Sequence, residues 1–71
     1  MRVIIYIGGE EMKPKEMERI LFDDGWYLKN IKGSHHHYIH PSKKGKVTIP
    51  FHSGDLDIKT VKSIKTQAGL L

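Results

Sequence analysis

Four of the five histidines fall within six positions: His35, His36, His37 and His40 follow directly on Lys32, Gly33 and Ser34. Imidazole has an ordinary pKa of about 6.5, so it can take or give a proton near neutral pH. Four readings suit such a cluster. A purification-tag remnant would sit at a terminus and carry a longer run, whereas this cluster is mid-chain and Tyr38 interrupts it. A zinc site needs three or four converging ligands. On a strand His35 and His37 point one way, His36 and His40 the other, so one same-face pair falls short. His52 would have to join from the next segment, and no cysteine or acidic ligand stands at metal-binding spacing nearby. The remaining readings are ordinary solvated or hydrogen-bonded strand histidines, and acid–base chemistry.

The acid–base reading has support around the cluster. A histidine at the head of a strand, just after a Gly33-Ser34 turn, is held by backbone yet open to a substrate. Lys29, Lys32, Lys43, Lys44 and Lys46 lie on or beside the same stretch, where they can bind phosphates and counter charge in a phosphorane-like transition state. RNA brings its own nucleophile, the 2′-OH. Its cleavage therefore needs proton transfer and electrostatic support, with no metal and no protein nucleophile. Other chemistries have less behind them. Ser34 and His35 are neighbours whose side chains leave a strand on opposite faces. No P-loop, GxGxxG or CxxC is present, and Glu10-Glu11 and Asp23-Asp24 read as solvated charge at element ends.

The elements that would position these residues follow from pattern. Pro14 suits the first turn of a helix over 14–24, with Met17, Ile20 and Leu21 as its apolar stripe and Gly25 as its stop. Strands are expected over 26–32, 35–40 and 46–50, with Pro41 ending the second. In the first, alternation puts Trp26, Leu28 and Asn30 on one face and Tyr27, Lys29 and Ile31 on the other. Short connections favour an antiparallel meander. Asp57 is a good N-cap for a second helix to about Ala68, lined by Ile58, Val61, Ile64 and Ala68 and stopped by Gly69. Lys59, Lys62 and Lys65 fall mostly away from that side. The expectation is an α+β domain, α-β-β-β-α, with two helices on one face of a three-stranded antiparallel sheet. Val3 to Ile7 reads as an extra N-terminal strand or as a disordered leader, and the five-residue run is too short to span a membrane.

The chain has 71 residues, enough for one small domain with a thin core, and no cysteine to staple it. The lack of cysteine fits a cytoplasmic setting. Twelve Lys and Arg against eight Asp and Glu give a net charge of +4, which suits nucleic acid or an acidic protein as partner.

Several stretches taken in order resemble one family. Asp24-Gly25-Trp26-Tyr27, Lys32-Gly33-Ser34-His35-His36, Tyr38-Ile39-His40-Pro41, Gly45-Lys46-Val47-Thr48-Ile49-Pro50, Lys62-Ser63-Ile64 and Gln67-Ala68-Gly69-Leu70 look like HicA toxins, the mRNA interferases of HicA–HicB toxin–antitoxin pairs. The likeness runs from about Lys13 to Leu71. It implies a double-stranded-RNA-binding-like fold and ribosome-independent cleavage of mRNA with His35 as the catalytic residue. It also implies neutralisation by a HicB-like antitoxin that masks or distorts the site. His37 is the nearest same-face candidate for a second acid or base. Gly33 and Ser34 would shape the turn, and no cofactor or metal is expected. Residues 12–71 would form the RNA-cleaving domain and 1–11 an extension, because such toxins usually begin near Met12-Lys13-Pro14. Asp55-Leu56-Asp57-Ile58-Lys59-Thr60 departs from the usual Asp-Leu-Pro-Lys-Gly-Thr, which leaves the start of the last helix open. Trp26 and Tyr38 could stack on bases or pack in the core. A dimer or a toxin–antitoxin hetero-oligomer would fit, as would two other functions: a non-catalytic RNA-binding module of the same fold, and a domain whose open sheet face docks an acidic protein.

Overall fold

The computed structural model describes residues 12–52 and 54–71, so the expected strand at Val3 to Ile7 and the extension 1–11 lie outside the described residues. The element order is α1 (Pro14–Asp23), β1 (Tyr27–Lys32), β2 (His35–Ile39), β3 (Val47–Pro50) and α2 (Ile58–Gln67). The three strands form one antiparallel sheet in the order β1-β2-β3. This is the α-β-β-β-α, α+β arrangement of the double-stranded-RNA-binding-like fold expected from the sequence.

Local chemistry sets the ends of these elements. Pro14 opens α1, and the Glu16 carboxylate accepts from the Lys13 N–H at 3.2 Å, giving one terminal donor a partner. Gly25 leaves the helix at φ +97°, and Trp26 N–H returns to Leu21 C=O at 3.0 Å. Asp57 caps α2 by accepting from Thr60 N–H at 2.8 Å. The absent Pro and Gly therefore do not prevent a helix start here, because the carboxylate supplies the cap.

Met17 and Leu21 of α1, Val61, Ile64 and Ala68 of α2, and Tyr38, Val47 and Ile49 of the sheet close the core with Trp26 and Leu56. Trp26 is 2% exposed and Tyr38 0%, so neither presents a ring to a base; both are core residues. Lys65 departs from expectation as well. It lies at i+4 from Val61 and one residue after Ile64, on the same stripe, and is 8% exposed. Burial pushes its amine below lysine's ordinary pKa.

The faces of β1 are the clearest correction. The register against β2 shifts between Leu28 and Asn30, a bulge at Lys29. Leu28 therefore pairs with Tyr38 and Ile31 with His36, toward the helices, while Tyr27, Asn30 and Lys32 pair with Ile39, His37 and His35 on the open face. One extra residue reverses the alternation beyond it.

Candidate active site

The β1–β2 turn aims the histidines. Gly33 has φ +61°, as a two-residue hairpin turn requires at its first position. Ser34 C=O accepts from Phe51 N–H at 2.7 Å, which ties the turn to the end of β3. His35 leaves this turn as the first residue of β2, exposed, with Lys32 across from it on β1 and Pro50 on β3. His37 follows on the same face, opposite Asn30 and Thr48.

His37 is the better held of the two. Its Nδ1 lies 2.8 Å from Thr48 Oγ1. Loss of solvent lowers its pKa below the ordinary imidazole value, and the positive charges of Lys46, His35 and Lys32 add to the effect. Near neutral pH the ring is thus unprotonated. The same causes show that Lys32 and Lys46 lie close enough to act on this face. Tyr27 is also exposed there, and it, rather than Trp26 or Tyr38, offers an aromatic surface.

The other two histidines of the cluster have different surroundings. His36 turns toward the helices and stacks on Phe51, with ring centroids 3.7 Å apart at 18°. Its Nδ1 is 3.9 Å from Glu18 Oε2, which already accepts from Tyr38 O–H at 2.5 Å. His40 donates from Nε2 to Asp24 C=O at 2.7 Å and accepts at Nδ1 from the N–H groups of Ser42 and Lys43, at 3.0 and 3.2 Å. That pattern fixes its tautomer and makes it a brace between α1 and the β2–β3 connection.

The lysines separate in the same way. Lys32 and Lys46 stand by His35 and His37, and Lys29 and Lys44 are exposed at the bulge and in the β2–β3 connection. Lys43 is apart from them. Its amine bonds Asp24 Oδ2 at 2.5 Å and Ala68 C=O at 2.9 Å, joining the ends of both helices. Together with the Trp26 indole N–H at 3.2 Å, Lys43 holds the Asp24 carboxyl below its ordinary pKa.

His52 is the residue whose place the sequence did not reveal. Its ring meets that of His35 edge to face, with centroids 6.0 Å apart. The register explains this: His35 pairs with Pro50, so residue 52 lies just past the strand end beside it. Among the described residues no three His, Asp or Glu side chains are grouped to hold a metal ion. What this end of the sheet offers is a pair of imidazoles, a third imidazole oriented by a hydroxyl, and two lysines.

A family model described as the HicA toxin of bacterial toxin-antitoxin matches residues 14–70. No curated protein matches the chain.

Proposed function

Because the chain belongs to the HicA toxin family of bacterial toxin–antitoxin systems, we propose that it is an RNA endonuclease that cleaves mRNA by attack of the 2′-OH, with histidine moving the protons and no metal in the step. His35 takes the proton from the ribose 2′-OH, and that oxygen bonds to the adjacent phosphorus. The bond to the 5′-oxygen breaks, and a second imidazole protonates the leaving oxygen. The products are a 2′,3′-cyclic phosphate and a 5′-OH. Each catalytic nitrogen must come within about 3 Å of its oxygen, so base and acid have to stand on either side of one phosphodiester. The 6.0 Å pairing of His35 with His52 supports this reading most strongly. His52 is the acid in this scheme. His37, its pKa lowered, accepts a hydrogen bond from the Thr48 hydroxyl at Nδ1 and offers its Nε2–H to a phosphate oxygen. Lys32 and Lys46 balance the phosphate charge. Gly33 and Ser34 set the turn from which His35 projects, and Lys29 and Lys44 extend the basic surface.

As the toxin of such a pair the protein has an antitoxin partner. In our reading that partner is HicB-like and covers the open face of β2, the 12–71 segment is the cleaving domain, and the setting is the cytoplasm, where mRNA is. No helix among the described residues is long and apolar enough to cross a membrane. Purified protein incubated with RNA in excess EDTA tests the reading. Wild type should cleave, and His35→Ala should lose about 10²–10⁴-fold in rate, the usual contribution of a general acid or base. Cleavage that stops on chelation contradicts the metal-free step, and full activity in His35→Ala removes the assignment.

A further inference from the structure

A concavity lies on the far side of β3 from β2. A groove of about 380 Å³ runs between β3 and α2, lined by Lys46, Thr48, Lys59, Thr60, Ser63 and Gln67 over the apolar Ile64. None of the lining residues is acidic. The nearest acid on α2, Asp57, feels the charge of Lys59 but has its carboxylate committed to the N–H groups of Thr60 and Lys59. Lys46 and Lys59 form no ion pair among the described residues. Lys59, Ser63 and Gln67 recur at intervals of four along α2, a row of about 12 Å at 1.5 Å per residue.

The groove joins the reaction face. Thr48 lines it and also holds His37 at 2.8 Å, and Lys46 lines it while its charge reaches His37. Lysine amines, hydroxyls and an amide are the groups that proteins aim at phosphate oxygens and sugars. An acidic peptide could use the same groups, but the continuity of the groove with the reaction face through Thr48 and Lys46 favours the strand that this face cleaves. We propose that this groove holds the sugar–phosphate backbone of the RNA strand on one side of the cleaved bond. Lys59 and Lys46 neutralise phosphates, and Ser63, Thr60 and Gln67 bond phosphate or ribose oxygens. Its contacts address the backbone, so it sets affinity and register without reading bases. The inference rests on the RNA-cleaving assignment and deepens it.

The test uses fluorescence anisotropy with a labelled 2′-O-methyl RNA, which the proposed chemistry cannot cleave. Lys59→Glu should weaken binding about tenfold, the loss of one charge-assisted contact. Lys59→Ala should flatten the slope of log K against log salt by about 0.7, the value for one phosphate of a single strand. Gln67→Ala should weaken binding and leave that slope alone. With cleavable RNA, Lys59→Glu should raise KM and spare kcat. Arg19→Glu, an equal charge change on α1, serves as the control. Binding of Lys59→Glu equal to wild type overturns the groove, as does an equal loss in Arg19→Glu, which would reflect net charge alone. Unchanged RNA binding with lost binding of an acidic antitoxin also overturns it, in favour of protein docking. Lys59-dependent binding of RNA that the wild type never cleaves would uphold the groove and remove the endonuclease reading.

Discussion

Lys43 lies in the most basic stretch of the chain, Lys43-Lys44-Gly45-Lys46, yet the structure gives it a different task from Lys46. Its amine bonds Asp24 Oδ2 at 2.5 Å and the Ala68 carbonyl at 2.9 Å, past the end of α2. The two side chains of the ion pair are 34% and 29% exposed, so the pair lies between a surface bridge and a buried one. A surface pair contributes about 0.2–1 kcal/mol. A cation on the last carbonyls of a helix adds about 0.3–1 kcal/mol. Asp24 keeps the Trp26 indole N–H at 3.2 Å, so truncating Lys43 does not strip it of partners. Lys43→Ala should then cost about 0.5–2 kcal/mol, and at 4–8 °C per kcal/mol for a domain of this size its Tm should fall by roughly 2–16 °C. Asp24 has a lowered pKa, so the unfolded chain takes the proton first as pH falls. The stabilisation is therefore complete above the ordinary carboxyl value of 3.8 and fades as pH falls through Asp24's lower one. Thermal melts of Lys43→Ala and Lys46→Ala, with RNA binding measured on both, check this. Lys43→Ala should lose stability and keep RNA affinity at low temperature, and Lys46→Ala should do the reverse. A Lys43→Ala protein that melts like wild type and loses as much RNA affinity as Lys46→Ala refutes the reasoning.

Three further outcomes follow from single contacts. Gly25→Ala places a Cβ 2.9 Å from His40 Nε2 at φ +97°, so it should cost more than the roughly 1–2 kcal/mol of a left-handed residue alone, read as a lower urea midpoint. Tyr38→Phe keeps the ring in the core but removes the donor to Glu18, a loss of about 1.5–3 kcal/mol in chemical denaturation. Burial and the Glu18 carboxylate push the Tyr38 phenol pKa far up, so this loss should not vary with pH across the neutral and mildly alkaline range. His37 has a lowered pKa, so the unfolded chain binds its proton first and stability falls as pH drops from 6.5 through the lowered value. His37→Gln should flatten the urea midpoint against pH in that window, and an unchanged profile would count against the environment described for this ring.

Much of the architecture was legible because the residues that punctuate it act locally. Pro14, Gly25, Asp57 and Gly69 carry their helix boundaries in their own covalent geometry or capping chemistry, and apolar spacing supplied both stripes. The bulge at Lys29 was not legible, since alternation of period two contains no sign of an inserted residue until a partner strand fixes the register. It therefore misplaced Asn30 and Ile31. Lys65 was read outward from its charge, although its spacing from Val61 put it on the buried stripe. Within the cluster, strand alternation separated His35 and His37 from His36 and His40 correctly. It could not bring His52 to His35, because that contact depends on the β2–β3 register and the path of the chain beyond Pro50. Lys43 misled for a related reason: proximity to Lys44 and Lys46 in sequence says nothing about Asp24, nineteen residues away.

The ends of the cleaved RNA report on the proposed chemistry most directly. Mass spectrometry of the fragments made by wild-type protein in EDTA should show 2′,3′-cyclic phosphate, or the monoester from its hydrolysis, facing a 5′-OH. His35→Ala should yield almost none of either. Fragments ending in 3′-OH and 5′-phosphate, or cleavage of a strand whose scissile nucleotide is 2′-deoxy, would show that the ribose hydroxyl is not the nucleophile and that the imidazoles do not serve it.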